Sequence, residues 1–149
     1  MPLIDFCDCV YANISAGLRT RLDRVLNSCI KFIYNLRKYD HIGAKKKDLD
    51  FLTNDLRRTF HYATMIYKVQ QTQNPPYLFE KLNFPTHSYN TRRKDTLVVP
   101  QHKTKAYEGS FTFMSSKVWN SVPQSLRQAK TVGEFKSGYR DMIVNNAKL

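Results

Sequence analysis

Apolar residues recur every three or four positions in several stretches of this chain, a spacing that places them on one face of a helix. The first stretch begins at Ser15 and predicts a long amphipathic helix. A second begins near Asn54, which is predicted to cap it. The predicted buried positions are Leu18, Leu22, Val25, Cys29, Ile33 and Leu36 in the first helix, and Leu56, Phe60, Ala63, Ile66 and Tyr67 in the second.

A β-prone run follows in the second half of the chain. Thr96–Val99 favours an extended strand, and Pro100 restricts that strand to the edge of a sheet because proline lacks a backbone N–H. Lys103–Tyr107 is predicted to return as its partner. The pattern therefore predicts one short β-hairpin.

Two further helices are predicted after the hairpin. One begins at Ser110 and carries the single tryptophan, and the other begins at Thr131, whose spacing to Glu134 matches a capping box. The predicted fold class is mainly α, a small helical bundle with one short β-hairpin before a C-terminal Trp-containing helix. The residues predicted to form the structural core are Phe111, Val118, Trp119 and Phe135.

Charge changes this picture, because the chain has 24 basic and 12 acidic residues and a net charge of +12. Such an excess favours an anionic partner, with nucleic acid ahead of a membrane surface. The N-terminus has no signal-peptide pattern, and no apolar run approaches the roughly 20 residues of a membrane span. We expect a nuclear or cytoplasmic protein that is not secreted and not membrane-bound.

Basic residues also follow a second face of the first helix, where Arg24, Ser28, Lys31, Asn35 and Lys38 recur. This face is either a solvated surface or a nucleic-acid contact. The same two alternatives hold for the polar loop 87–94 and for the basic set 102–105. The candidate nucleic-acid-binding residues are Arg24, Lys31, Lys45, Lys46, Lys47, Tyr89, Thr91, Arg92, Arg93, Lys94, Lys103 and Lys105.

The residues that common enzymes need are missing from the pattern. A polymerase holds two metal ions between neighbouring carboxylates, but Asp48 and Asp50 form the closest acidic pair and helical positions two apart point in different directions. Cys7 and Cys9 are too close for structural zinc spacing. We predict no catalytic residues, no metal site and no cofactor.

The stretch from His87 to Pro123 has an order of residues that composition alone does not suggest. Thr91-Arg92, Val99-Pro100, Ser110-Phe111 and the run Trp119–Pro123 follow one another along it. This order resembles the C-terminal end of the reverse transcriptases of non-LTR retrotransposons, the LINE-like elements of the jockey and CR1 kind.

Two earlier segments extend the resemblance over nearly the whole chain. Leu22–Ile33 is similar to the thumb helix of that family, and Asp5–Cys7 with Tyr11 is similar to the segment that follows its palm. The sequence departs from the family pattern at Leu26, where Gln is usual, and at Val122, where Leu is usual.

The resemblance implies a non-catalytic C-terminal fragment of an RNA-directed DNA polymerase, whose catalytic aspartates lie upstream. It implies a remnant of the palm-to-thumb connection at 1–14, a helical thumb-like region at 15–83 and a C-terminal region at 84–149. Mg²⁺ would serve only a full-length parent enzyme. The implied partners are RNA or an RNA–DNA hybrid, target DNA, and the missing palm domain.

The alternative is a protein-interaction module whose basic surface binds an acidic protein partner. The N-terminal segment is apolar but too short to bury itself, so we expect it to expose an apolar surface that drives self-association. Its apolar residues are Leu3, Ile4, Phe6, Val10 and Tyr11.

Overall fold

The computed structural model describes residues 5, 8–10, 13–48, 52–85 and 95–148 of the chain, with the side chains of 47, 48, 147 and 148 excepted. This part is mainly helical, which confirms the predicted class at that level. Its helices are α1 (Ala16–Ile33), α2 (Gly43–Asp48), α3 (Asn54–Thr72), α4 (Pro76–Phe79), α5 (Lys105–Glu108), α6 (Phe111–Ser121), α7 (Gln124–Arg127) and α8 (Val132–Lys148).

The chain divides into two compact units. One contains residues 1–58 and 142–149, and the other contains residues 59–141. The three-part division drawn from the resemblance stays a prediction. Within the described ranges, no helix has both the length and the hydrophobicity needed to cross a bilayer.

Short-range hydrogen bonds set both ends of α1. The hydroxyl of Ser15 accepts a hydrogen bond from the Leu18 N–H, as the sequence predicts for an N-cap. At the other end Asn35 adopts a positive φ of 50°. The N–H of Leu36 then donates to the Lys31 carbonyl, and the N–H of Asn35 donates to the Phe32 carbonyl. This Schellman motif ends the helix before Leu36, which the predicted stripe had included.

The predicted buried face of α1 is wrong. Leu26 and Ile30 are the buried residues of the helix, whereas Leu18 and Val25 are about half exposed and Ile33 is 68% exposed. The apolar residues of α1 cover more than one side of the helix. Periodicity identifies such sides but cannot determine which of them meets another element.

The start of α3 differs from the prediction in one residue. The hydroxyl of Thr53 accepts from the Leu56 N–H at 3.4 Å and therefore provides the cap. Asn54 instead donates through Nδ2 to Asp23 Oδ1 at 2.8 Å. Further along α3, Ala63, Ile66 and Tyr67 are fully buried, as predicted, while Leu56 and Phe60 are half-buried.

The predicted β-hairpin is wrong, because the described residues 95–148 contain no paired strands. Residues 96–102 have no regular secondary structure, and Lys105–Glu108 forms the helical turn α5, with Thr104 as its cap. The side chain of Asn120 replaces the missing strand: its Oδ1 accepts from the Leu97 N–H at 2.9 Å and its Nδ2 donates to the Leu97 carbonyl at 2.8 Å. A side-chain amide has the same donor and acceptor as a strand edge.

Aromatic rings form the core of the unit 59–141. Phe135 lies between Tyr67, Trp119 and Tyr139, at ring-centroid distances of 4.4, 6.2 and 5.6 Å. The indole N–H of Trp119 donates to the Asp95 carbonyl at 2.9 Å. The Thr131 cap of α8 follows the prediction, because its hydroxyl accepts from the Glu134 N–H at 3.2 Å, but the Glu134 carboxylate accepts from the Lys130 N–H at 3.0 Å, one residue before the cap of the predicted capping box.

Tyr67 is expected to make stability depend on alkaline pH. Its hydroxyl donates to the Ala129 carbonyl at 2.7 Å, and burial, assisted by the charge of Glu134, raises its pKa above 10.0. A group whose pKa is raised by folding stabilises the fold fully at pH values below its unfolded-state pKa. This contribution is lost as pH rises through its folded-state pKa. Tyr67→Phe should therefore cost about 1 kcal/mol at neutral pH, and the difference from the parent should shrink as pH rises beyond about 10.

Urea unfolding of both proteins across this pH range measures the difference. If the difference in the free energy of unfolding between the two proteins is the same at every pH, the alkaline pH dependence does not come from Tyr67. Burial also raises the pKa of Tyr139, while its hydrogen bond with Ser121 opposes the shift. The single variant should therefore retain part of the alkaline slope of the parent.

Candidate nucleic-acid interface

A groove of about 560 Å³ lies along the C-terminal half of α1 and the turn that follows it. Three of its lining side chains are basic and none is acidic. We call it the basic groove; it is lined by Arg24, Asn27, Ser28, Lys31, Phe32, Leu36 and Lys38. Arg24, Ser28, Lys31 and Lys38 are members of the basic stripe that the sequence predicts.

The turn at Asn35 brings Lys38 into this groove. Since α1 ends at Ile33, the helical spacing of the predicted stripe does not extend to Lys38. The reversal places the Lys38 carbonyl where the Lys31 ammonium donates a hydrogen bond to it. Helix and turn are thereby joined, and Arg24 and Lys38 line one concave surface.

An exposed aromatic ring accompanies these charges. Phe32 is 88% exposed and lines the basic groove. A basic groove with an exposed aromatic ring is the combination that holds single-stranded nucleic acid, because phosphates meet the cations and bases stack on the ring. Phe32 is not among the residues predicted from the sequence. Its spacing of seven residues from Val25 was the available signal.

The lysines of α2 lie in the same unit. The Lys45 ammonium lies 5.3 Å from the ring centre of Tyr34, a cation–π arrangement, and Lys46 is half-buried. Lys47 belongs to α2, but its side chain is outside the described residues. The Lys45 ammonium therefore contacts the Tyr34 ring, whereas the Arg24 and Lys38 side chains line the basic groove.

The second unit carries the other described candidates, Lys103 and Lys105, and both are exposed. Beside them the ring of His102 meets the edge of Phe113 at a centroid distance of 4.5 Å, and its Nε2 lies 2.9 Å from Glu108 Oε1. This carboxylate reduces the local positive charge. The basic groove is therefore the stronger candidate for a polyanion.

Several predicted residues lie outside the described part of the chain. These are Tyr89, Thr91, Arg92, Arg93 and Lys94 of the polar loop. Their proposed role stays a prediction. Of the apolar N-terminal residues, Val10 is described and is 84% exposed, whereas Leu3, Ile4, Phe6 and Tyr11 lie outside the described residues.

The residues predicted as structural core occupy the interior of the unit 59–141. Val118, Trp119 and Phe135 are buried, and Phe111 is half-buried with its ring 5.9 Å from that of Tyr62. The buried ring of Trp119 cannot stack on a base. The stacking surface near the charges is therefore Phe32 and not Trp119.

Comparison with protein-family models, with curated proteins and with solved structures finds no match for this chain.

Proposed function

We propose that this chain binds nucleic acid without catalysing a reaction, as the thumb and C-terminal part of a non-LTR retrotransposon reverse transcriptase would. The nucleic acid that it binds is RNA, an RNA–DNA hybrid or single-stranded DNA. The observation that carries the proposal is the basic groove, where three cations and an exposed phenyl ring share one surface. The sequence resemblance supports the same role.

The chemistry of the groove favours binding without sequence preference. Arg24 and Lys38 offer charge to phosphates, and phosphate contacts position a strand but carry no base information. Phe32 offers a ring face, which every base can stack upon. Template binding by a polymerase needs this kind of contact, because the enzyme must move along any sequence.

The salt dependence of binding tests the proposal. Each neutralised phosphate releases counterions, so log K falls with log salt by about 0.7 to 0.9 per contact. Arg24→Ala combined with Lys38→Ala should flatten this slope by about 1 to 2 units for a labelled single strand or RNA–DNA hybrid. Fluorescence anisotropy at several salt concentrations measures it.

A matched control removes the same charge elsewhere. Lys130 and Lys136 are exposed lysines of the other unit, and replacing both by alanine also removes two positive charges. This control should leave the slope nearly unchanged. If both double variants flatten the slope equally, binding is diffuse and the groove is a solvated surface. If only Arg92→Ala with Arg93→Ala flattens it, the polar loop holds the strand instead.

Phe32→Ala separates stacking from charge. Losing one base–aromatic stack costs about 1 to 3 kcal/mol of binding free energy. The salt slope should stay the same, because no cation is removed.

A further inference from the structure

An apolar stripe runs along the exposed side of α1. It consists of Leu18, Leu22, Val25, Cys29 and Phe32, with successive spacings of four, three, four and three residues. Leu18 is 50% exposed and Val25 is 52% exposed, while Leu22 and Cys29 are half-buried. The stripe adjoins the buried side of α1, because Leu26 lies four residues from Leu22 and three from Cys29, which are its half-buried members.

The C-terminal half of this stripe is concave. A depression of about 720 Å³ is lined by Arg24, Val25, Ser28, Cys29, Phe32 and Ile33. Exposed large apolar side chains gathered on one surface mark an interaction site, because removing them from water lowers the free energy of the system. Ile33, which is 68% exposed, extends the apolar area beyond the stripe.

The spacing of the stripe indicates the shape of what covers it. Alternating steps of four and three residues average 3.5, the repeat that keeps one seam of a helix against another helix. From Leu18 to Phe32 the stripe rises by about 21 Å, or some four helical turns. A second helix of similar length, lying along α1, would cover it.

The charges beside the stripe indicate the chemistry of that helix. Arg19 and Arg21 occupy the two positions that flank the seam at its N-terminal end, and Arg24 lies one position further out. Arg19 also lies 3.4 Å from Asp55, so it already takes part in an exposed ion pair. Flanking residues of a helical pair choose the partner by charge. Acidic flanking positions would match this stripe.

The same charges disfavour a second copy of this chain. A parallel pair would place the arginine-rich ends of two α1 helices together. An antiparallel pair would bring Arg21 and Arg24 of one copy towards Lys31 of the other. Each copy also carries a net charge of +12, which adds long-range repulsion.

We propose that α1 is a docking site for an amphipathic helix of a partner protein, with apolar residues at heptad spacing and glutamate or aspartate at its flanking positions. Phe32 and Val25 enter the partner's seam, and Arg19 and Arg21 meet its carboxylates. This site adjoins the basic groove, because Arg24, Ser28 and Phe32 line both surfaces, but Leu18 and Val25 belong only to the stripe and Lys38 only to the groove.

Three synthetic peptides of about 21 residues, or three heptads, test this proposal against the full chain. The first has leucine at the seam and glutamate at the flanks. The second has lysine at the flanks, and the third keeps glutamate but has serine at the seam. Fluorescence anisotropy should show that the first binds at least about tenfold more tightly than either of the others. The third peptide measures how much a merely acidic chain binds this basic protein.

Leu18→Ser combined with Val25→Ser supplies the matching change in the protein. Both residues are exposed and neither lines the basic groove. The double variant should weaken the first peptide by about tenfold or more. Its thermal unfolding and its affinity for the labelled single strand should stay as in the parent, which separates this proposal from the nucleic-acid proposal.

Three outcomes would overturn the inference. Equal binding of the first and third peptides would mean that charge alone attracts them. Equal binding of the first and second peptides would mean that the stripe does not select a partner with acidic flanking residues. A dimer of the parent in sedimentation velocity, lost in the double variant, would show that a second copy covers the stripe.

Discussion

Replacing Trp119 by alanine should lower the free energy of unfolding by about 3 to 5 kcal/mol. The indole ring is 2% exposed and contacts the ring of Phe135, and alanine would leave a cavity there. The change also removes one of the two donors to the Asp95 carbonyl, of which the other is Arg127 at 2.9 Å. Domains of this size have total stabilities of about 5 to 15 kcal/mol, so the loss is a large fraction of the whole.

Far-UV circular dichroism during urea unfolding is the suitable measurement, because Trp119 is the single tryptophan and fluorescence would be lost with it. Trp119→Phe keeps most of the volume and removes the indole N–H, so it should cost less. Phe32→Ala is the exposed aromatic control and should change stability by less than about 0.5 kcal/mol. Unchanged stability with a collapse of nucleic-acid affinity in Trp119→Ala would show that Trp119 is a stacking platform.

The second large effect is expected from Asn120→Ala, with a loss of about 2 to 6 kcal/mol. This range is the sum for two backbone groups left without partners, each costing about 1 to 3 kcal/mol when water does not replace the bond. Both groups belong to Leu97, which is 3% exposed. No paired strand in the described residues can take over these bonds, since Asn120 itself acts as the strand partner.

Amide hydrogen exchange at Leu97 identifies the cause of the loss. The Leu97 N–H should be protected in the parent and exchange rapidly in Asn120→Ala. Gln128→Ala is the control. The Gln128 amide also donates a hydrogen bond near Leu97, to Asp95 Oδ2 at 3.0 Å, but Gln128 is exposed. It should cost less than about 1 kcal/mol. Equal effects of the two variants would mean that Asn120 contributes only another surface bond.

Local chemistry in the sequence was sufficient for the starts of α1, α6 and α8. Ser15, Ser110 and Thr131 each accept a hydrogen bond from the N–H three residues later, as their positions before apolar periodic stretches predict. Such caps depend on neighbours within one turn. The burial of Trp119 and Phe135 also followed from their apolar surroundings in the sequence.

The buried side of α1 depended on tertiary structure. Leu18 and Val25 on one side, and Leu26 and Ile30 on another, are all apolar and all fit helical spacing. The difference between these sides is which one another segment covers, and that information lies far away in the chain. Lys38 differs, because the turn that brings it to the groove is local: Asn35 has a positive φ and the Lys31 ammonium donates to the Lys38 carbonyl.

The hairpin was wrong for a related reason. The sequence by itself indicated a β-prone segment at 96–99, whose buried backbone groups would need partners. Only the tertiary structure decided that Asn120 would supply the partners of Leu97, Ser116 the donor to Val98, and Asn83 the acceptor for the Val98 N–H. A backbone group accepts any donor or acceptor of suitable geometry, so β propensity indicates that an extended segment needs partners but not which residues provide them.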